Sequence, residues 1–486
     1  MVMRSAWLLL LVLLAFPAGA LAQDMDDDAA APPPPPAQSD DAKFVAYNQP
    51  VIAFTHAEIV DGTGAAPKYD QTLVIRDGRI AAIGAASRIR VPAGAAFIDA
   101  HGKTLLPGFV MVHEHLFYPM GKRHYATMLE TFPRLYLAGG TTTARTAGSL
   151  EGYGDINLKL AIDKGDIIGP DLDVTAPYLN GAGLPILEMH VLSGPEDATK
   201  LVNHWADEGA TSFKAYTNIT RAELKAAIEA AHARGLKITG HLCSVTYREA
   251  AELGIDNLEH GFGVMTDFNK DKKPDECPAG SQQALASLDE NSAEVKSLID
   301  FLIAKHVALT STLTVFETFT PARPEAPARA LDMLIPELRK QYEDTWSKTS
   351  SNDRMKPYTI ILPKMMKLEK MFVDAGGTLL AGTDPTGYGG VIPGFSGKRE
   401  VELLVEAGFS FPQALKIATL NGATYLGRDK DVGSLATGKR ADLVVVDGDP
   451  SKSPATIDAM PLVFKKGIGY DTGKIFDAMK GQAGLY

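Results

Sequence analysis

From residue 106 onward the chain repeats one unit: a short apolar run rich in β-branched residues, a turn, then a stretch with helical spacing. Eight such runs follow in order: LPGFVMVHEHL (106–116), GTTTARTAG (140–148), LDVTAPYL (172–179), TSFKAYTN (211–218), LKITGHLC (236–243), DNLEHGF (256–262), VALTSTLTV (307–315) and GTLLAGTDP (377–385). Helical segments such as RAELKAAIEAAHARG (221–235) and AEVKSLIDFLIAKH (293–306) separate most of them. Eight strands alternating with helices over about 320 residues predict an α/β fold of the (β/α)8 TIM-barrel type. An open doubly wound sheet is the alternative, but no Gly-x-Gly-x-x-Gly turn follows an early strand. Residues 316–375 are long for a single strand–helix connection, and PARPEAPARA (321–330) within them reads as an exposed loop able to cover a site. KMMKLEKM (364–371) reads as a helix face.

The flanks have a different texture. VIAFTHAEIVDG, QTLVIRDGRIAAIG and AAFIDAHGKTLLPG, between residues 51 and 108, are short strands with Asp-Gly turns, and RADLVVVDGDP and PLVFKKGIGYDTGK repeat that pattern near the other end. One small β-sandwich built from both ends is expected. The predicted organisation is a signal peptide at 1–22, an acidic, proline-rich disordered linker at 23–42, a first sandwich portion at 43–106, the barrel at 107–428 and the second sandwich portion at 429–486. The signal reading rests on Arg4, the apolar run to Phe16 and the small residues Ala20 and Ala22 before Gln23. That run is shorter than the roughly 18 residues of a membrane span. The expectation is therefore a periplasmic or secreted protein with no stable membrane anchor after cleavage.

Charge narrows the partners. The formal charge is −11, but residues 23–42 carry six aspartates and no base. Without them and Arg4 the folded body carries −6, which argues against a nucleic-acid partner needing a broad basic face. A small-molecule substrate is the expected partner, and a homo-oligomer is left open. Two cysteines, Cys243 and Cys277, suit either one bridge or two buried thiols.

In barrels of this kind the chemistry sits at the C-terminal strand ends. His113 and His115 close the first strand, and period-two alternation points both imidazoles the same way. Lys214 ends the fourth strand, His241 the fifth, His260 the sixth and Asp384 the eighth. A lone histidine is most often a satisfied core residue; six metal-capable groups in register at strand ends are not so easily explained. Lys214 sits on an apolar strand, where burial penalises the ammonium and lowers its pKa. A neutral amine there can take up carbon dioxide as a carbamate, an anionic oxygen ligand able to bridge two cations. The alternative is an ion pair with a carboxylate such as Asp384.

GFVMVHEH, FKAY, TGH, LEHG and AGTDP, in that order, resemble the metal-binding signature of the amidohydrolase superfamily. VDGTGA…IRDGRIAAIG and GSLATGKRADLVVVDGDP resemble its split β-sandwich, so the likeness covers nearly everything after the linker. Within it, the chain looks most like the imidazolonepropionase-like and Xaa-Pro dipeptidase (prolidase)-like branch. The resemblance implies two divalent metal ions, with His113, His115 and Asp384 on one and His241 and His260 on the other. Carboxylated Lys214 and a hydroxide would bridge them. Imidazole and carboxylate donors suit zinc, with manganese or iron as alternatives. Asp384 is the implied catalytic residue, taking the water's proton and passing it to the leaving nitrogen.

Some positions depart from that pattern. Glu114 stands between the paired histidines and, by alternation, faces away from them; Arg145 on the next strand is its expected partner. Ser244 stands where the superfamily's deaminases carry a glutamate, which counts against deamination. Tyr178, His190, Tyr216 and Tyr247 are the polar groups placed to reach a substrate, with packing as the other account of each. The leading expectation is hydrolysis of an amide or peptide C–N bond in a dipeptide or N-acyl amino acid. A cyclic amide or lactone comes next, and a non-catalytic binding protein is the reading from a different class.

Overall fold

Eight short parallel strands carry the expected runs: β1 (Phe109–Glu114), β2 (Thr141–Thr146), β3 (Asp171–Asp173), β4 (Ser212–Ala215), β5 (Lys237–Gly240), β6 (Asn257–Glu259), β7 (Ala308–Ser311) and β8 (Leu379–Ala381). The computed structural model describes residues 39–485 apart from Lys122, Arg123, Pro185, Leu187 and Tyr388. The expected leader at 1–22 and most of the linker lie outside the described residues. The strands form two parallel sheets, β3-β2-β1 and β4-β5-β6-β7-β8. Their edges are joined by hydrogen bonds. Past β3, the Thr211 N–H donates to the Val174 carbonyl at 2.7 Å and the Ala176 N–H to that of Ser212 at 3.0 Å. Past β8, the N–H groups of Thr383 and Asp384 both donate to the His113 carbonyl, at 3.1 and 3.0 Å.

Every residue of β1, β2, β4 and β7 is buried, as expected of parallel strands covered on both faces. Local sequence determines where the following helices begin. Thr220 and Glu223 form a capping box on the helix Arg221–Ala233, and Thr246 and Glu249 form one on Tyr247–Leu253. Each box satisfies end N–H groups and stops the loop soon after the strand that carries Lys214 or precedes His241.

The two ends of the chain share one nine-stranded sheet. Leu443–Asp447 pairs antiparallel with Lys103–Pro107 over five residues. Alternation along this strand divides its side chains between two cores. Leu443 and Val445 pack with Phe54, Ile75 and Phe464 inside the sheet's own cluster, while Val444 and Val446 join the cluster containing Phe109 and Leu137.

The C-terminal segment is also held to β3 by charge. Asp171 is buried against Lys465 at 2.7 Å, Arg440 at 2.7 Å and Lys466 at 3.3 Å. Burial alone would push its carboxyl up, but the three cations outweigh it and hold it well below the usual carboxylate range. Asp171→Asn removes the carboxylate that Lys465 and Lys466 pair with, while Arg440 keeps Asp442, and should cost roughly 3 kcal/mol of stability at pH 7. The folded pKa lies below the unfolded value of about 3.9, so this contribution is present above that pH and is lost as pH falls toward the folded pKa. The gap in melting temperature between the two proteins should therefore be constant near pH 7 and narrow progressively as pH falls below about 4. A gap independent of pH would refute the ion-pair account.

Two expectations shift at this level. Asp40 and Asp41, assigned to the disordered linker, belong to a short 3-10 turn, Asp40–Phe44. Asp41 is buried, accepting two bonds from Arg134 at 2.8 and 3.0 Å and one from the Ile168 N–H at 3.0 Å. A paired carboxylate can pack where a run of free ones cannot. The long 316–375 connection is filled by helices, chiefly Pro336–Thr349 and Tyr358–Asp374. Its loop at 321–330 walls a cavity of about 210 Å3 with Trp346 and Phe395 and lines no part of the metal-donor cavity.

Candidate metal centre

His113, His115, Lys214, His241, His260 and Asp384 all line one cavity of about 450 Å3 at the C-terminal strand ends. Five are buried, with Lys214 at 1% exposure, and His241 is half-buried. Donor atoms of His113, His260 and Asp384 lie within 4.8 Å of one another. Asp384 Oδ1 is 3.3 Å from His115 Nε2 and 3.8 Å from His113 Nε2. His241 Nδ1 meets His260 Nε2 at 2.9 Å.

The outer nitrogens of three rings are already engaged. Nδ1 of His113 meets Glu259 at 2.7 Å, that of His115 the Gly148 carbonyl at 3.1 Å, and that of His260 the Thr312 hydroxyl at 2.8 Å. Such contacts set the ring orientation and leave Nε2 for the interior, as in metal-ligating histidines. Burial is the main cause that lowers the imidazoles: His113 to about 4, with Lys214 adding to it, His241 to about 3, and His260 well below its ordinary value. Neutral rings are the form that binds a cation. Burial pushes the Asp384 carboxyl up, but the surrounding imidazoles outweigh it and keep the group ionised. Neutral imidazole nitrogens and a carboxylate in one pocket suit a divalent cation of the zinc type.

Backbone strain singles out the same residues. His260 and Asp384 adopt left-handed φ values of 68° and 52°, which cost a non-glycine residue of order 1 kcal/mol. The turn at His260 lets it and its neighbour Glu259 serve one centre from adjacent positions. Gly382 is required at the β8–β1 junction, because a Cβ there would lie 2.2 Å from His113 Cβ.

Lys214 is lowered to about 8, with burial the largest cause and Glu259 opposing it. Its nearest carboxylate is Glu259, whose Oε1 lies 3.5 Å from Nζ; in the alternative reading of Lys214 as an ion-paired lysine, the carboxylate is therefore Glu259 and not Asp384. Glu259 was not singled out in the sequence, yet it touches three members of the centre's support: His113 at 2.7 Å, Arg145 at 3.2 Å and Lys214 at 3.5 Å. Two cations on strands that become fully buried, Arg145 and Lys214, were the available signal that another buried carboxylate was needed.

The expected Glu114–Arg145 pair does not form. Thr146, the register partner of Glu114, adjoins Arg145 on β2, so alternation sends Arg145 to the other face. There it donates to Val112, Glu259, Ser212 and Thr239. Glu114 instead accepts from the Thr383 N–H at 3.0 Å and hydroxyl at 2.6 Å, and so anchors the residue preceding Asp384. Burial raises its carboxyl to about 8.

Of the four residues expected near a substrate, Tyr178 and Tyr216 line the cavity. Tyr247 and His190 do not. The Tyr247 hydroxyl is buried and donates to the carbonyls of Gly261 at 2.8 Å and Glu259 at 3.2 Å, bracing the turn that carries His260. His190 is exposed and pairs with Asp197 at 2.8 Å. Ser244 is buried and donates its hydroxyl to the Ile219 carbonyl. Cys243 and Cys277 are joined as a disulfide on the cavity wall, with Cα atoms 4.8 Å apart.

Residues 104–468 match the family described as "Amidohydrolase family". The chain is 39% identical over 84 residues to a D-hydantoinase of Streptomyces coelicolor, a match covering 16% of this chain and 17% of that protein. It is 39% identical over 79 residues to an imidazolonepropionase of Mycolicibacterium smegmatis, covering 16% and 19%. These matches thus span under a fifth of either relative. Among solved structures, a Bifidobacterium longum protein described as a prolidase superposes with a TM-score of 0.66 at 25% identity, over 88% of this chain and 98% of its own.

Proposed function

The chain belongs to the amidohydrolase family, and from that premise we propose that it is a metal-dependent hydrolase of an amide carbon–nitrogen bond in a small substrate. The observation that carries this reading is the convergence of four imidazoles, Lys214 and Asp384 on one cavity. We read the eight parallel strands as one closed (β/α)8 barrel and the terminal sheet as a folded β-sandwich. The hydrogen bonds from Thr383 and Asp384 to His113 support closure.

His113, His115 and Asp384 would hold one cation and His241 and His260 the other; the contacts of Asp384 Oδ1 and of the His241–His260 pair support this division, and His260, 3.9 Å from Asp384, lies next to both sites. Two such cations would supply Lewis acidity to the scissile carbonyl and acidify water. Lys214 Nζ, largely desolvated, would add to carbon dioxide and release a proton, and the resulting carbamate oxygens would complete the donor set. Glu259 orients the His113 ring, and Glu114, through Thr383, orients Asp384. An Asp384 carboxylate oxygen accepts the proton of the attacking water and returns it to the leaving nitrogen as the C–N bond breaks. Export to the periplasm or beyond is part of the proposal; the Cys243–Cys277 bridge, typical of oxidising compartments, supports it.

Metal analysis provides the test. Freshly purified protein should contain up to two equivalents of divalent metal, lose amide hydrolysis on chelation and regain it with zinc and bicarbonate. Less than one equivalent, with no hydrolysis after both are supplied, would rule the enzyme out.

A further inference from the structure

The donor cluster is flanked by aromatic rings on two sides. On the His115 and His241 side, Phe117 packs 4.5 Å from the His115 ring and 5.4 Å from Tyr125. Tyr216 lies 4.6 Å from Tyr178 and 5.0 Å from His241. On the His260 side, Phe316 lies 6.0 Å from that imidazole and 6.2 Å from Tyr358. A scissile bond held at the donors would therefore have an aromatic wall at each end.

The charge inventory points the same way. Among the described residues lining the cavity, Lys214 and Asp384 are the only lysine, arginine, aspartate or glutamate, and both belong to the donor set. The remaining polar lining consists of neutral groups such as Thr217, Asn218, Gln282 and Thr386. Among the described lining residues, a free α-ammonium or α-carboxylate would meet no ionic partner outside the donor set, and its desolvation there is costly. Apolar rings gain by the same desolvation.

Resting on the amide-hydrolase reading, we propose that the substrate is an uncharged amide with a bulky apolar group on each side of the scissile bond, such as an arylalkyl-acyl amide of an aromatic amine, rather than a free dipeptide. The acyl and amine portions lie against opposite aromatic walls. Hydrolysis adds water across the C–N bond: the acyl half leaves as a carboxylate, which these walls hold poorly, and the amine half leaves as a neutral aromatic amine no longer tethered to it.

The test compares N-phenylacetylaniline, acetanilide and the dipeptide phenylalanyl-phenylalanine as substrates of the metal-supplemented full-length protein. In parallel, calorimetry measures binding of 1,3-diphenylpropan-2-one, the uncleavable ketone analogue of the first compound. The expected results are a kcat/KM for N-phenylacetylaniline at least about 30-fold above that of acetanilide and above that of the dipeptide, together with saturable binding of the ketone. Phe316→Ala should raise KM for N-phenylacetylaniline and weaken the ketone, both by about tenfold. Cleavage of the dipeptide but not of N-phenylacetylaniline would overturn this inference while leaving the amide-hydrolase reading intact. Ketone binding with no cleavage of any compound would support the apolar recognition and overturn the reaction. Neither cleavage nor binding would overturn both.

Discussion

Lys214→Ala should lower kcat by about a thousandfold or more and reduce bound metal from two equivalents toward one. The side chain is 1% exposed on β4, and burial lowers its amine to about 8, so a substantial neutral fraction is available near pH 8. Alanine removes the atom on which a carbamate would form and leaves the imidazoles in place. The mutant should therefore fold and keep its secondary structure while losing metal coupling. Carbon-13 bicarbonate gives an independent readout: the native protein should show a carbamate resonance, and the mutant should not. A fully active mutant would show that Lys214 is dispensable for hydrolysis, and a native protein without the resonance that Lys214 stays an uncarboxylated amine beside Glu259.

Glu259→Gln should have the largest effect on stability. Glu259 is fully buried and faces Arg145, Lys214 and His113 within 3.5 Å. Burial raises its carboxyl, but Lys214, His113 and Arg145 overcome that and hold it well below the carboxylate range. A neutral amide leaves the buried guanidinium without its counter-charge, which should cost about 3–5 kcal/mol. It also loosens the His113 ring, so metal affinity should fall about 10–100-fold. The denaturation midpoint and a zinc titration separate the two effects. An unchanged midpoint would mean that the Arg145 bonds to the Val112 carbonyl, Ser212 and Thr239 suffice without the carboxylate.

These two residues differ in how far they could be read in advance. Lys214 announces itself, because an amine in the apolar run Phe213–Tyr216 needs an explanation wherever that strand lies. Glu259 precedes a histidine already assigned to metal, and its importance comes from His113, Arg145 and Lys214, on strands more than 40 residues earlier in the chain. Glu114 makes the same point through an error. Alternation correctly turned it away from His113 and His115, but its partner was sought on β2 and is Thr383, past β8. Tyr247 and His190 failed for a related reason. Their side-chain chemistry suited a substrate, but local geometry sends one into the β6 turn and the other to the surface.

The amino-acid sequence by itself determined the alternation of strands and helices, the strand ends that carry the donors, and the junction of both termini in one sheet. Periodicity and turn chemistry are local, and a strand's polarity places its C-terminal residue at a known end. Only the tertiary structure decided which buried charges meet, which rings wall the cavity, and that Cys243 reaches Cys277. Those outcomes depend on register between strands distant in the chain, and a shift of one residue would send each side chain to the opposite face.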